Sequence, residues 1–216
     1  MSKNWEKIAE KFGGLPYFGN ADVAQILGKD EIEVKQILLR YLKNEKVLRI
    51  KRGVYMTREF YWSNKNDVNF PTLIASLVAP NGYLSTEYVL YRHGSMTEVV
   101  MLYTGVTAGM TQRVSNFFGS YNYRHIKPEL VGGYQEQILW GVKTRTATLG
   151  KALFDYLYLR DGRAYHLKDF DLTEELRLNL YDWEDGDRAE FAEWVERSGS
   201  RKMKNALTNI RRNVWT

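Results

Sequence analysis

The 216-residue sequence contains no cysteine. This absence excludes disulfides and thiolate metal sites, and it suits a reducing compartment. No stretch approaches 18 uninterrupted apolar residues, so we expect no membrane-spanning segment. The first twelve residues, MSKNWEKIAEKF, are charged and amphipathic, and they lack the apolar stretch of a signal peptide. We therefore expect a cytoplasmic protein with no membrane partner.

Signatures of catalysis and metal binding are also scarce. The histidines His93, His125 and His166 are far apart and match no ligand spacing such as HxxxH. The sequence has no GxSxG motif, and the Gly-Lys pair at 150–151 lacks the rest of a phosphate-binding loop. An acidic run at 182–187 could hold a divalent cation, although such runs are more often solvated loops before a helix. We expect no metal, no cofactor and no enzymatic activity.

The positive charge of the chain is concentrated in its first quarter. Residues 1–58 hold 12 Lys and Arg against 7 Asp and Glu, which leaves +5, whereas the other 158 residues hold 19 of each. A basic block on a compact unit is typical of a nucleic-acid contact. The alternative is a solvated basic face without a partner.

The same region predicts helices in a particular order. Apolar residues at helical spacing predict a first helix that ends at the glycines 13–14. Asn20 is predicted to cap a short second helix that Gly28 ends. Asp30 begins a third helix, and Asp30 with Glu33 forms a capping-box pattern.

A small hairpin follows the third helix. Residues 47–50 and 54–56 are predicted to be strands, joined by a tight turn at 51–53 in which Gly53 supplies positive φ. The order helix, turn, helix and basic hairpin is that of a winged helix-turn-helix. We therefore predict a winged-helix DNA-binding domain over residues 1–58 and double-stranded DNA as its partner.

Side chains of the third helix and the hairpin are the candidate DNA contacts. In the major groove Arg and Lys pair with guanine and Gln pairs with adenine, while cations at a wing tip reach phosphates or the minor groove. The predicted contacts are Lys35, Gln36, Arg40 and Lys43 on the helix and Lys51, Arg52 and Tyr55 on the wing. Glu31 and Glu33 would repel phosphate at the start of the helix, which shifts the expected base-reading surface toward residues 35–43. A winged helix used only for protein contacts is the alternative.

The rest of the chain predicts an α+β domain over residues 70–216, after a linker at 59–69. Helices are predicted at 72–78, 86–93 and 149–159, and strands at 83–84, 99–104, 117–125 and 137–142. From about residue 171 the pattern is helical, with capping-box patterns at 171–174 and 187–190. The fold class is therefore α+β, with an N-terminal winged helix and a helical C-terminal tail.

Two features of this region leave alternatives open. Aromatic residues are dense at 55–62 and 117–123, which is typical of a core or an interface but also possible for a surface that stacks single-stranded bases. The last helix, residues 201–215, holds five basic residues and no acidic one. It could be a second phosphate-contacting surface, a docking face for an acidic partner or a solvated helix.

Three segments, in this order, resemble the AbiEi-type antitoxins of bacterial type IV (abortive infection) toxin–antitoxin systems. The first is the winged helix that ends in KRGVY at 51–55, and the second is PNGYLSTEYVLYRHG at 80–94. The third is ATLGKALFDYLYL at 147–159, which is similar to the family's segment ATPEKALLDLLYL. Leu149 and Gly150 replace the usual Pro-Glu of that segment, whereas Lys151 and Asp155 remain.

The resemblance implies two activities in one chain. The winged helix would bind inverted repeats in its own promoter and repress the operon as a transcriptional autorepressor, within a phage-defence system. The C-terminal domain would counteract a nucleotidyltransferase-like toxin, without a stable complex between the two proteins. Two other functions remain open: a winged-helix transcriptional regulator with a ligand- or partner-sensing C-terminal domain, and an enzyme such as a nuclease or a toxin-modifying activity.

Overall fold

A computed structural model describes residues 3–98, 101–167 and 170–215. Within these ranges the protein has ten α-helices and two β-sheets, so the predicted α+β class is confirmed. The predicted strand at 99–104 begins outside the described residues. The observed strand includes the last two predicted residues and runs from Tyr103 to Thr107.

Three helices and a small sheet form the N-terminal part. The helices are α1 (Lys3–Phe12), α2 (Asn20–Leu27) and α3 (Glu31–Lys43). The strands are β1 (Phe18–Gly19), β2 (Val47–Lys51) and β3 (Val54–Thr57), and they pair antiparallel in the order β1-β3-β2. Val34, Leu38 and Tyr41 recur at helical spacing on the buried face of α3, which explains why the periodicity located this helix.

The helix starts in this region differ in detail from the predicted ones. Asn20 is the first residue of α2, and Gly19 occupies the cap position with its N–H donating to the Asp22 carboxylate at 2.6 Å. The prediction that Asn20 caps this helix is therefore wrong by one residue. At α3 the predicted cap is present, since the Asp30 carboxylate accepts from the backbone N–H of Glu33 at 2.8 Å. Such a cap stabilises a helix by about 1 kcal/mol.

Helix α4 (Arg58–Asn64) occupies most of the predicted linker. The Thr57 hydroxyl caps it by accepting from the Phe60 N–H at 3.1 Å, and Phe60 is buried. A seven-residue helix has only two turns, so it shows too little apolar repeat to be recognised from spacing. The segment is an ordered, partly buried connection.

A six-stranded mixed sheet organises the larger part of the chain. Helices α5 (Phe70–Val78) and α6 (Glu87–Arg92) flank its first strand, and a short 3-10 helix spans Pro128–Leu130. The strands are β4 (Gly82–Leu84), β5 (Tyr103–Thr107), β6 (Gln112–Asn116), β7 (Gly119–His125), β8 (Tyr134–Leu139) and β9 (Val142–Ala147). Their order is β6-β7-β5-β4-β9-β8, with β4 parallel to β9 and β5 parallel to β7.

The predicted strand at 137–142 is wrong, because the chain reverses within it. Strands β8 and β9 form a hairpin whose two turn residues, Trp140 and Gly141, have φ values of 48° and 78°. Positive φ at both positions matches the twist of the flanking strands, and Gly141 adopts it without steric cost. Trp140 is an unusual residue for this position, so the turn has a weak sequence signal.

Four helices complete the fold. They are α7 (Leu149–Tyr158), α8 (Leu172–Glu175), α9 (Asp185–Ser198) and α10 (Arg201–Asn213). The predicted cap by Asp171 is present, since its carboxylate accepts from the N–H groups of Thr173 and Glu174. The predicted capping box at 187–190 is wrong, because the cap position of α9 is Glu184, three residues before Asp187.

Two hydrophobic cores share the small N-terminal sheet. Tyr55 of β3 packs into the core formed with α1, α2 and α3, whereas its neighbour Met56 packs into the larger core around α5 and α7. Ile50 of β2 joins the same larger core. Successive strand residues point to opposite faces, so β2 and β3 lie between the two cores.

Candidate nucleic-acid interface

Helix α3 presents one face to solvent along its whole length. Four of the predicted contact residues lie on exposed positions of this helix: Lys35, Gln36, Arg40 and Lys43. The opposite face is held by Leu38 and Tyr41 in the N-terminal core. The helix therefore brings the four predicted side chains together on one surface of the molecule.

The two glutamates at the start of α3 are paired with lysines. Glu31 contacts Lys35, one helical turn later, at 2.8 Å, and Glu33 contacts Lys29, which lies just before the helix, at 2.5 Å. The hydrogen bond and charge of Lys35 hold the pKa of Glu31 below its usual value. The pairing reduces the negative charge that Glu31 and Glu33 present, and it also occupies Lys35. Of the four contacts predicted on α3, Gln36, Arg40 and Lys43 are the ones whose side chains stay exposed outside these ion pairs.

Two exposed apolar side chains on α3 were missed by the sequence reasoning. Ile32 is 69% exposed and Leu39 is 61% exposed, and a spacing of seven residues places them on the same side of the helix. Apolar side chains in the major groove contact the methyl group of thymine. Their signal was present in the sequence, because Ile32 and Leu39 fall outside the buried Val34, Leu38 and Tyr41 repeat.

The predicted wing contacts do not share one surface. Arg52 is exposed at the β2–β3 turn, and Arg49, three residues earlier in β2, is exposed as well. Lys51 instead is half-buried, and its ammonium group donates to the carbonyl of Val78 at 3.3 Å, with burial lowering its pKa. Tyr55 is buried and its ring packs against Phe18. The prediction that Tyr55 contacts a ligand is therefore wrong, because its side chain is buried. Lys51 is held by the Val78 carbonyl but still lines a cavity beside the hairpin.

The reason is the contact between the hairpin and the larger sheet. Asn116, at the end of β6, donates from its side-chain amide to the carbonyl of Ile50 at 2.8 Å. This contact and the larger core cover much of one side of the hairpin. Among the predicted wing residues Arg52 is exposed, and Lys51 lies at the edge of a cavity lined by residues of β2 and β6.

The basic C-terminal helix uses part of its charge internally. Lys202 donates to the carbonyls of Tyr158 and Arg160 at 2.5 and 2.9 Å, and it closes the end of α7. Arg212 approaches the carbonyl of Phe170 at 3.4 Å, and Lys204 pairs with Glu196 at 3.1 Å. Lys202 is thus engaged inside the fold, whereas the other four basic residues of this helix lie at exposed positions: Arg201, Lys204, Arg211 and Arg212.

The second and third segments of the family resemblance meet in a buried polar network. Asp155 of α7 accepts from the hydroxyls of Ser85 and Tyr83 at 2.7 and 3.1 Å, and it pairs with Lys151 at 2.5 Å. Lys151 also donates to the carbonyl of Leu130 at 2.8 Å. Burial raises the pKa of Asp155 and lowers that of Lys151, and the contact between them opposes both shifts.

These buried side chains join elements and do not form an accessible site. Lys151 and Asp155 each have no exposed surface. The network ties α7 to the strand β4 and to the segment before β8, which explains why both segments of the resemblance carry polar residues at inward positions.

The part of the chain that the structure describes contains no cluster of three or more His, Asp or Glu residues that could hold a metal ion. In residues 3–98, 101–167 and 170–215, no helix is both long and apolar enough to cross a bilayer. Comparison with protein-family models found no matching family, and comparison with curated proteins found no significant match.

Proposed function

We propose that this protein binds double-stranded DNA through α3 and represses its own operon. The observation that carries the proposal is the exposed face of α3, with Gln36, Arg40 and Lys43 on a capped and packed helix. The basic excess of residues 1–58 supports it, because phosphate attraction supplies most non-specific affinity. In this proposal the N-terminal elements act as a winged helix-turn-helix, and Arg52 at the β2–β3 turn contacts phosphate.

The target in this proposal is an inverted repeat in the protein's own promoter. Two copies of α3 on one face of the duplex would occupy half-sites about one helical turn apart. The test is fluorescence anisotropy of a labelled promoter fragment over a series of salt concentrations. We expect specific binding whose affinity falls steeply with salt, and equal affinity for promoter and scrambled DNA would refute the repressor function.

The proposal also makes the protein the antitoxin of a type IV toxin–antitoxin system that opposes a nucleotidyltransferase-like toxin. This half rests on the three-segment resemblance to AbiEi-type antitoxins. Co-expression with the neighbouring gene tests it directly: growth arrest by that gene alone and rescue by the full chain are the expected results. Failure of rescue would refute the antitoxin function while leaving DNA binding intact.

A transcriptional regulator with a sensing C-terminal domain is the second candidate. A cavity lined by aromatic side chains in the larger part of the protein favours it. The gene neighbourhood separates the two candidates, since an adjacent nucleotidyltransferase-like reading frame is required only by the antitoxin.

A further inference from the structure

A cavity with polar walls lies between the start of α5, the end of α6 and the β8–β9 hairpin, beside the first residues of α7 and α9. Its volume is about 420 Å³, which is typical of small-molecule sites. We call it the polar cavity. None of the described residues that line it belongs to α1, α2, α3 or the small sheet, so it is separate from the proposed DNA surface.

One wall of the polar cavity is a face of the β8–β9 hairpin. Gln135 lies opposite Thr146 in the strand register and Gln137 lies opposite Thr144, and alternate residues of a strand share a face. All four side chains line the cavity. The Thr144 hydroxyl donates to the Gln137 carbonyl, whereas the two glutamine amides and the Thr146 hydroxyl bond no described residue. This wall therefore offers free amide and hydroxyl groups.

A buried hydroxyl on the opposite wall also has no partner. Thr72 of α5 is 5% exposed and lines the cavity, and its hydroxyl makes no hydrogen bond within the described parts of the chain. Its oxygen is not sealed in the core, so a molecule in the cavity can reach it. Asn69, at the cap position of the same helix, makes no capping hydrogen bond and lines the cavity too. Because buried polar groups are almost always hydrogen-bonded, the free Thr72 hydroxyl indicates a missing partner in the cavity.

The end of α6 adds a positive charge to the lining. Arg92 and His93 are exposed there, and Arg92 forms no ion pair with a described carboxylate. Its guanidinium carbon lies 5.9 Å from the centroid of the Tyr88 ring. Asp187 also lines the cavity; burial and the charge of Glu184 raise the pKa of Asp187, and the charge of His93 opposes them. An unpaired guanidinium favours a ligand with an oxyanion, which Arg can bind through two parallel hydrogen bonds.

The lining offers no surface on which a nucleobase could stack. No Phe, Tyr or Trp is among the described residues around the polar cavity. Each hydroxyl group of a sugar both donates and accepts hydrogen bonds, and the amide and hydroxyl side chains of this lining do the same. The lining therefore suits a polyhydroxylated ligand with an anionic group.

We propose that the polar cavity binds a sugar phosphate. The phosphate group contacts Arg92. The sugar hydroxyls bond Thr72 and the amides of Gln135 and Gln137, and Asp187 accepts from one of them. The volume suits one pentose or hexose phosphate.

Thr72 offers a matched pair of variants for the test. Thr72→Val removes the hydroxyl, and the fold should keep its stability because that hydroxyl has no protein partner. Thr72→Ser keeps a hydroxyl at the same position. Arg92→Gln removes the proposed phosphate contact, and Arg113→Gln, at an exposed arginine outside the cavity, is its control.

The experiment is calorimetric titration of the full chain with ribose 5-phosphate, glucose 6-phosphate, the two unphosphorylated sugars and inorganic phosphate. We expect at least one sugar phosphate to bind with a dissociation constant below about 1 mM, and at least about tenfold more tightly than its sugar or inorganic phosphate. Thr72→Val and Arg92→Gln should each weaken that binding about tenfold, which corresponds to one hydrogen bond or more. Thr72→Ser and Arg113→Gln should bind like the unmodified protein.

Three results would overturn the proposal. The first is the absence of binding by both sugar phosphates. The second is binding of inorganic phosphate or of the free sugar that is as tight as that of the sugar phosphate. The third is binding that Thr72→Val or Arg92→Gln leaves unchanged, since the ligand would then occupy a different surface. Thermal unfolding of each variant verifies that a loss of binding does not reflect a loss of folding.

Discussion

Lys151 and Asp155 are both fully buried and pair with each other across one turn of α7. Two charges in a protein interior are costly to desolvate, and they are tolerated only when each is paired and hydrogen-bonded. Asp155 accepts two hydroxyl hydrogen bonds, and Lys151 donates to a carbonyl and lies 4.3 Å from the centroid of the Trp194 ring. The stability of this region therefore depends on the pair remaining complete.

Replacing one partner of this pair should lower the free energy of unfolding far more than replacing both partners. We expect Lys151→Met to cost about 3–5 kcal/mol of unfolding free energy, because it leaves the Asp155 carboxylate buried without its cation. The double variant Lys151→Met with Asp155→Leu should recover part of that loss. Urea unfolding measures the unfolding free energy of both variants. A double variant that is less stable than the single variant would contradict this explanation.

Arg52 and Lys51 carry the same charge in adjacent positions, but their side chains have different surroundings. The guanidinium of Arg52 is exposed, whereas the ammonium group of Lys51 bonds the last carbonyl of α5. The two replacements should therefore affect different properties of the protein.

Arg52→Ala should weaken DNA binding for all sequences and reduce the slope of log affinity against log salt by about 0.9, the value for one phosphate contact. Lys51→Ala should instead lower stability by about 1–3 kcal/mol through the lost hydrogen bond, with little change in the salt slope. Anisotropy titrations and urea unfolding measure the two effects. Arg177→Ala, an exposed arginine of the larger part, serves as the control. An unchanged salt slope in Arg52→Ala would exclude it as a phosphate contact.

At the scale of elements, α3 combines a rigid buried face with a chemically varied exposed face. In the proposed DNA complex Gln36 and Arg40 would read base edges, and Lys43 at the last turn would contact phosphate. Ile32 and Leu39 are exposed beside these polar groups and would add apolar contacts in that complex. The helix thus carries groups for both readout and attraction.

Base-reading and phosphate-contacting residues should separate experimentally. Arg40→Ala should cost about 1–3 kcal/mol for the preferred operator and relax the preference at one base pair. Lys43→Ala should weaken binding to all DNA sequences by the same factor. Selection from a randomised DNA pool compares the sequence preferences of the two variants. Arg163→Ala, at an exposed arginine far along the chain, is the control. An identical preferred sequence in Arg40→Ala would exclude Arg40 from base reading.

Elements with a strong repeat were predictable, and elements set by a turn or by a neighbour were not. Helices α3 and α7 were located to within a residue or two because their apolar residues recur over ten or more positions. The β8–β9 turn was missed, since Trp140 takes positive φ only because the strands around it pair. Helix α4 was missed because it is short and depends on burial of Phe60.

At the scale of the whole molecule, the shared sheet makes the two cores interdependent. Ile50 and Met56 belong to the larger core although they precede it in the sequence, and Phe60 of α4 joins them. Removing residues 1–69 would therefore expose apolar surface that these side chains cover. Each core supports the other through β2 and β3.

The full chain should unfold in one cooperative transition. Urea denaturation followed by tryptophan fluorescence and by far-UV circular dichroism should give coincident curves, because the unfolding of one core disrupts the sheet that holds the other. The fragment 70–216 should unfold at lower urea than the full chain. Two separated transitions would show that the cores are independent.

The sequence alone determined the α+β class, the position of α3 and the location of the basic excess. These properties are local, because periodicity, caps and charge are read along the chain. The candidate site was predictable to the same extent, since Gln36, Arg40 and Lys43 lie on the helix face that their spacing indicates.

Only the tertiary structure decided which charges face solvent and which rings meet. Lys51, Tyr55 and Lys202 look like surface residues in the sequence, yet contacts with segments distant along the chain bury or engage them. The contacts between the two aromatic-rich stretches arise in the same way, because Tyr61 and Phe117 become neighbours through the docking of α4 on the β6–β7 turn. Packing between distant segments sets these properties, and no local pattern encodes it.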